Sequence, residues 1–349
     1  MDKTSRVLAT LLCAGMTALA ANAQAQQMNA MKDSAGKQKP PAASQTEEEP
    51  SQPPALAVGA LQIAPDAKLS VTSMAIEVAL DRVTYAYGFR NGRPTPIDML
   101  ATVSMPTFNA ADDDGAPRLP GREATNPVGL KVTNGADTVP SKAHVDASAL
   151  GINRLAELSA AKIPLLPFGP ETARALRELP AETVTRFTQL GLILPPDPAK
   201  PNEPVSAAWS LDVVREMQIS LPPNVETMVK LSFAPIRADF QIRKGEEDEL
   251  DGLKDDFCAS AKTLAALRSR LKSGGAWQVS ELAVDVDGPS EQIDTPAVAL
   301  SVRKPRPDAI VVFCGANEKT LASDIVTGAM PEDAQDSELH IMLFTPTDR

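Results

Sequence analysis

Ile76-Glu-Val-Ala-Leu-Asp-Arg-Val-Thr-Tyr-Ala-Tyr-Gly-Phe-Arg-Asn-Gly92 is the stretch whose reading decides the fold. Ile76, Val78 and Leu80 alternate with other residues, and after Asp81-Arg82 the alternation resumes at Val83, Tyr85, Tyr87 and Phe89. Successive side chains of a strand point to opposite faces, so two adjacent runs of period two predict a hairpin with one buried face. Asn91-Gly92 supplies turn chemistry at its end. A third run follows with Ile97, Met99, Ala101 and Val103 on one face, closed by Pro106.

Downstream, residues 109–145 are polar and rich in Asp, Gly and Pro, with an extended piece near Gly129–Thr133. The middle of the chain reads as helical. Pro170 starts a run over Glu171–Leu179, Pro180 starts another with Val184, Phe187 and Leu190 at helical spacing, and Gly191 stops it. A weaker helix is predicted between Ala147 and Ala161, and Pro195 to Pro204 reads as a Pro-rich link. Strand character returns at Trp209–Leu221 and Thr227–Phe233. The charged stretch Gly245–Asp256 follows, with seven acids and one Lys, and reads as a solvated surface loop. Ser260 caps a short helix carrying Leu264, Leu267 and Leu271, stopped by Gly274-Gly275. Further strands are predicted over Trp277–Val286, Val298–Val302, Ala309–Phe313 and Leu339–Phe344. Strands, then helices, then strands predict a mainly β (α+β) chain: an antiparallel β-sandwich with a helical insertion at about 147–191 and one further short helix.

The N-terminal end reads differently. Lys3 and Arg6 precede an apolar run, Val7–Ala20, of 14 residues, short of the ~20 needed to span a bilayer. Ala21-Asn22-Ala23 is a small-x-small cleavage site and Ala23-Gln24-Ala25 an alternative, so residues 1–23 are expected to be a secretory signal. Cys13 lies inside the apolar run after Leu12, which is not the setting of a lipidated Cys, and is expected to leave with the signal. Residues 24–55 carry six Gln, five Pro and the run Glu47-Glu48-Glu49, and the first aromatic of the chain is Tyr85. That composition cannot offset the entropy of ordering, so a disordered tail is expected, with the β-rich domain covering 56–349. A periplasmic or secreted location follows, cleaved near Ala23 or Ala25. No later stretch is long and apolar enough for a membrane helix.

Charge and motif content narrow the function classes. The 349 residues carry 34 Lys+Arg against 45 Asp+Glu, a net charge of −11. With no basic run, nucleic-acid binding is disfavoured, because phosphate affinity needs clustered cations. His144 falls in the polar region and His340 on the final strand; neither has a His-Glu-x-x-His or Cys/His partner spacing, so zinc chemistry has no support. A Gly-x-Ser-x-Gly elbow, a Gly-x-Gly-x-x-Gly turn and a Gly-Lys-Ser/Thr phosphate loop are all missing from the sequence. Asp112-Asp113-Asp114-Gly115, Asp285-x-Asp287-Gly288 and Glu246–Asp256 offer oxygen ligands for calcium, but none has EF-hand spacing, and solvated loops are the plainer reading. Trp209 and Trp277 are expected to be core residues of strands rather than sugar platforms.

Several segments together resemble the bacterial exported family labelled domain of unknown function 4424. The first is the 76–91 hairpin with Pro96 and the run to Met105-Pro106; the second runs from Ile163-Pro-Leu to Leu190-Gly-Leu-Ile193. The third is Trp209-Ser-Leu leading to Leu221-Pro, and the fourth joins Phe257-Cys258 to Arg306-Pro-Asp-Ala-Ile-Val-Val-Phe-Cys-Gly315. Val229-Lys-Leu-Ser-Phe-Ala-Pro is plainer than the family's strand there, and the segment around 289–296 is longer. The resemblance implies export and a β-rich envelope protein, and implies no activity.

Two functional expectations remain. The first is a non-catalytic envelope protein acting by binding or structural support, its partner an envelope protein or a small ligand, with no cofactor, metal or catalytic residue indicated. The second is an envelope hydrolase whose Asp/Glu carboxylates are brought together by the fold. Independently of either, Cys258 and Cys314 are the two cysteines left once the signal is removed, in a compartment that favours oxidation, and are expected to form a disulfide.

Overall fold

The computed structural model describes residues 54–64, 66, 68–110, 115–195, 204–329 and 338–347, all within the compact unit Glu49–Arg349. The signal, nearly all of the tail, Asp112–Asp114 and most of the Pro195–Pro204 link lie outside these residues.

In chain order the strands of the first half are β1 (Gln62–Ile63), β2 (Leu69–Ala79), β3 (Arg82–Asn91), β4 (Ile97–Ser104), β5 (Lys131–Asn134), β6 (Asp137–Thr138), β7 (Ser141–Ala149) and β8 (Ile152–Asn153). Three helices follow, α1 (Leu155–Ala160), α2 (Pro170–Arg177) and α3 (Ala181–Gln189), then β9 (Ile193–Leu194), β10 (Ser206–Ala207), β11 (Ser210–Leu221), β12 (Glu226–Phe233) and β13 (Ala238–Ile242). The C-terminal part holds α4 (Leu253–Asp256), α5 (Ala261–Lys272), β14 (Ala276–Asp285), β15 (Ala299–Arg303), β16 (Ile310–Val312), β17 (Ile325–Ala329) and β18 (Glu338–Thr347).

The hairpin read from the sequence is β2–β3, with Ala79 opposite Arg82 across a two-residue turn. Val83, Tyr85, Tyr87 and Phe89 are all fully buried, and Tyr85, Tyr87 and Phe89 stack along the strand at about 6 Å. A bulge at Thr72 interrupts the pairing. Gly88 sits beneath it, where a Cβ would stand 2.4 Å from the Ser73 hydroxyl and 2.5 Å from that of Thr72, so a larger residue would force both hydroxyls to turn away. The hairpin nucleates a seven-stranded sheet in the order β17-β15-β2-β3-β12-β5-β6, facing a five-stranded sheet β1-β4-β11-β7-β8 across one shared core. One pair departs from antiparallel order: β15 lies parallel to β2.

A four-stranded sheet, β13-β14-β18-β16, is apolar on both faces. Leu282, Val284, Leu339, Ile341 and Leu343 join the sandwich core, while Trp277, Val279, Met342 and Phe344 face a second core built on α5 by Leu264, Leu267 and Leu271. Burial on both faces explains why Leu339–Phe344 is a nearly continuous apolar run rather than an alternating one. Ser260 caps α5 by accepting the Thr263 backbone N–H, as its position in the sequence predicts. Arg270 lies 5.3 Å over the Trp277 ring and donates to the Ala276 and Thr347 carbonyls, tying the helix end to both neighbouring strands.

Four sequence expectations change. Residues 147–149 finish strand β7, so the first helix of the insert begins at Leu155. The polar 109–145 region contains β5, β6 and most of β7, and His144 is a strand residue opposite Val214. Strands β13 and β17 fall where no element was predicted. The charged stretch at 245–256 is a 3-10 turn, Glu247–Leu250, followed by α4, because Leu250 and Leu253 turn inward into the second core.

Candidate binding cleft

Cys258 precedes α5 and Cys314 follows β16, and their sulfurs lie 2.07 Å apart with Cα atoms at 4.9 Å. The acidic motifs take other roles. Asp285 accepts the Ala60 N–H on one carboxylate oxygen and the Asp287 N–H on the other, each at 2.9 Å. It therefore pins the N-terminal segment to β14. Burial and the neighbouring Asp285 and Glu291 charges push the Asp287 carboxyl up from its ordinary pKa. In the 245–256 stretch, Asp251 pairs with Arg268. Among the described residues no three His, Cys, Asp or Glu side chains converge to hold a metal ion. His340 sits between Glu281 (2.8 Å) and Glu338 (3.4 Å), and His144 is 3.4 Å from Glu216 on the adjacent strand. Each histidine is exposed and pairs with a carboxylate on the neighbouring strand, and His340 also with Glu338 two residues earlier on its own strand.

Asp285 and Glu338 stand opposite each other in the β14–β18 pairing and line a small cavity of about 300 Å³. This is where paired carboxylates would be sought. With both oxygens committed to backbone amides, Asp285 acts as an anchor. Asp285→Ala is expected to cost about 1–3 kcal/mol, since it strands the Ala60 amide donor, while the exposed Asp287 N–H turns to water. Denaturant unfolding together with amide exchange at Ala60 checks this: stability should fall and Ala60 should exchange faster, with Asp285→Asn, which keeps one acceptor, intermediate.

An apolar concavity of the size that takes a small molecule lies elsewhere, between the 117–124 loop and the α1–α2 connection. It encloses about 500 Å³ and is lined mainly by Pro117, Leu119, Ala124, Leu165, Leu166 and Phe168, with Arg122 and Glu171 as its charged members. Each wall is held from below. Trp209, 1 % exposed, donates its indole N–H to the Leu165 carbonyl at 2.7 Å. Thr172 donates to the Leu166 carbonyl at 2.7 Å, and Phe168 meets Phe108 edge-on at 6.2 Å. On the other wall, Arg215 reaches from β11 to the Thr125 carbonyl at 3.2 Å and to the Ser141 hydroxyl at 2.6 Å. Asn126 exchanges hydrogen bonds with the Leu130 backbone in both directions. Gly121 closes the loop on Pro127, whose carbonyl would lie 2.7 Å from a Cβ.

On the insert wall the sequence marks Pro164-Leu165 within the second segment and Pro170-Glu171 at a helix start, with Trp209 beneath; it singles out neither Leu166 nor Phe168, nor any residue of the 117–124 wall. Leu119 and Ala124 sit in a stretch too polar to register as apolar surface, and only the fold brings it against the insert.

Residues 53–327 match the family described as Domain of unknown function (DUF4424). The chain belongs to this family. The matched span takes in every wall of the cleft in this DUF4424 chain, both apposed sheets up to β17, and both cysteines. Among curated proteins, no match is found. A solved structure with a similar course is that of a protein from Legionella pneumophila subsp. pneumophila, provisionally described as a nutrient binding protein. It is 9% identical, with a TM-score of 0.41 over 84% of this chain and 73% of the other. No helix among the described residues is long and apolar enough to cross a membrane.

Proposed function

We propose that this chain is an exported, non-catalytic binding protein of the cell envelope, and that the apolar cleft between residues 117–124 and 164–172 receives its ligand. The observation that carries the reading is the cleft itself: an apolar concavity of ligand size, one wall braced by a hydrogen bond from the buried Trp209 just before β11 and the other by one from the half-buried Arg215 of β11. Export is supported by the basic, apolar, small-residue order of the first 23 residues and by two cysteines at bonding distance. N-terminal sequencing of the protein recovered from the periplasm or medium should begin at Asn/Gln-rich sequence just after Ala23 or Ala25; an intact Met1 would count against export.

The binding reading is tested with the fluorescent apolar probe N-phenyl-1-naphthylamine. Saturable binding to the wild type is expected, weakened about tenfold or more by Leu166→Arg, which places a charge in the apolar cleft. Absence of probe binding, or binding indifferent to Leu166→Arg, would overturn the assignment. Gly121→Ala offers a finer probe. The added Cβ would stand 2.7 Å from the Pro127 backbone carbonyl, so the loop must shift, and probe affinity should drop severalfold together with a lowered unfolding midpoint, since Gly121 is half-buried.

A further inference from the structure

We infer that the cleft takes a single-chain amphiphile with an anionic head, the tail in the apolar cleft and the head paired with Arg122; this rests on the cleft being the binding site. A second, polar concavity of about 570 Å³ adjoins the apolar one, and the two share Gly121 and Arg122. Its charged residues are Arg82, Arg122 and Lys131, with Asp81 and Glu123. Three cations against two acids reverse the balance of a chain that carries 34 basic and 45 acidic residues.

The sheet register explains how these cations come together. Lys131 is opposite Ser232 on β12, and Ser232 is opposite Thr84 on β3. The next residues, Val132, Leu231 and Tyr85, are buried in the core, so Lys131, Ser232 and Thr84 form one outward row. Arg82, two residues before Thr84, points from the same face. Arg82, Arg122 and Lys131 are all exposed, and none takes part in an ion pair among the described residues. Glu123 accepts the Thr125 hydroxyl.

Charge also sets the orientation. Glu171 stands on the apolar cleft's opposite flank, at the start of α2, and repels an anion there. Arg122 is the cation common to both concavities, and a guanidinium presents two parallel N–H donors to a carboxylate or phosphate. Arg82 and Lys131 reinforce the positive potential behind it. A neutral apolar ligand would leave this arrangement unused, and a cationic amphiphile would be repelled by it.

The test is displacement of N-phenyl-1-naphthylamine from the full exported chain by decanoate, decyl phosphate, decanol and decyltrimethylammonium, all below their micelle concentrations. Decanoate or decyl phosphate should displace the probe at about tenfold lower concentration than decanol, a difference typical of one charged hydrogen bond. The two anions, compared with each other, show which head group is preferred. Arg122→Gln should bring the ratio of decanol to decanoate concentration at half-displacement down to about one, and Arg122→Lys should restore part of the preference for the anion. Equal displacement by anion and alcohol, or a preference that survives Arg122→Gln, overturns this assignment while the apolar cleft still stands as a site. No displacement by any of the four overturns both.

Discussion

Removing the Cys258–Cys314 link, by reductant or by replacing both residues with Ser, is expected to lower the unfolding free energy by about 4 kcal/mol. The two cysteines are 56 residues apart in sequence, and cross-linking a loop of that length removes a large share of the unfolded chain's freedom. The location gives the loss a direction. Cys258 sits between α4 and α5, and Cys314 just past β16, so a disulfide between them would join the helical cover of the second core to the edge strand beneath it. Without it, Leu250, Leu253 and Leu264 depend on packing alone to hold the helices on the sheet. Loosening should therefore begin there, with faster amide exchange in α5 than in β3 or β12. Urea unfolding with and without reductant, with thiol counting on the unfolded protein, is the measurement. Two free thiols in the non-reduced protein, or an unchanged midpoint after reduction, would contradict the expectation.

Trp209→Ala is expected to cost about 3–5 kcal/mol, the range for emptying a buried Trp site. It should also abolish probe binding, because the same side chain holds the cleft wall. Trp209 is packed into the main core, and its indole N–H is the donor that fixes the Leu165 carbonyl. Trp209→Phe separates the two effects. It keeps most of the apolar volume but strands the carbonyl, for a cost of about 1–3 kcal/mol. If the wall is positioned by that hydrogen bond, Trp209→Phe should weaken the probe severalfold in a protein that is still folded at room temperature. Unchanged probe affinity in Trp209→Phe would mean that Phe168 and Thr172 position the wall without it.

Local pattern was sufficient wherever one face of an element is buried and the other is wet. The β2–β3 hairpin, β4, β11 and β12 were legible because apolar residues recur at every second position, as at Ile76 and Val78, Tyr85 and Tyr87, Met99 and Ala101, Leu211 and Val213, and Val229 and Leu231. The insert helices were legible from Pro170, Pro180 and Gly191, since a ring-locked start and a positive-φ stop are local backbone properties. Strand β7 was missed because its inward side is Ala143, Val145, Ala147 and Ala149. Alanine has weak strand propensity and little hydrophobic signal, and this strand is stabilised by its pairing with β11 rather than by its own side chains.

The sequence by itself determined a mainly β chain with a Pro-started helical insert, an acidic balance and two cysteines outside the N-terminal apolar segment. Those features follow from periods of two and 3.6, from composition and from counting. What only the tertiary structure decided is which distant segments become neighbours: β15 lying parallel to β2, the four-stranded sheet packed on both faces, and Leu119 and Leu166 lining one cleft. The physical reason is that a cleft is a property of contacts between segments remote in the chain. Hydrophobic burial, which drives that assembly, depends on area removed from water and is indifferent to sequence order.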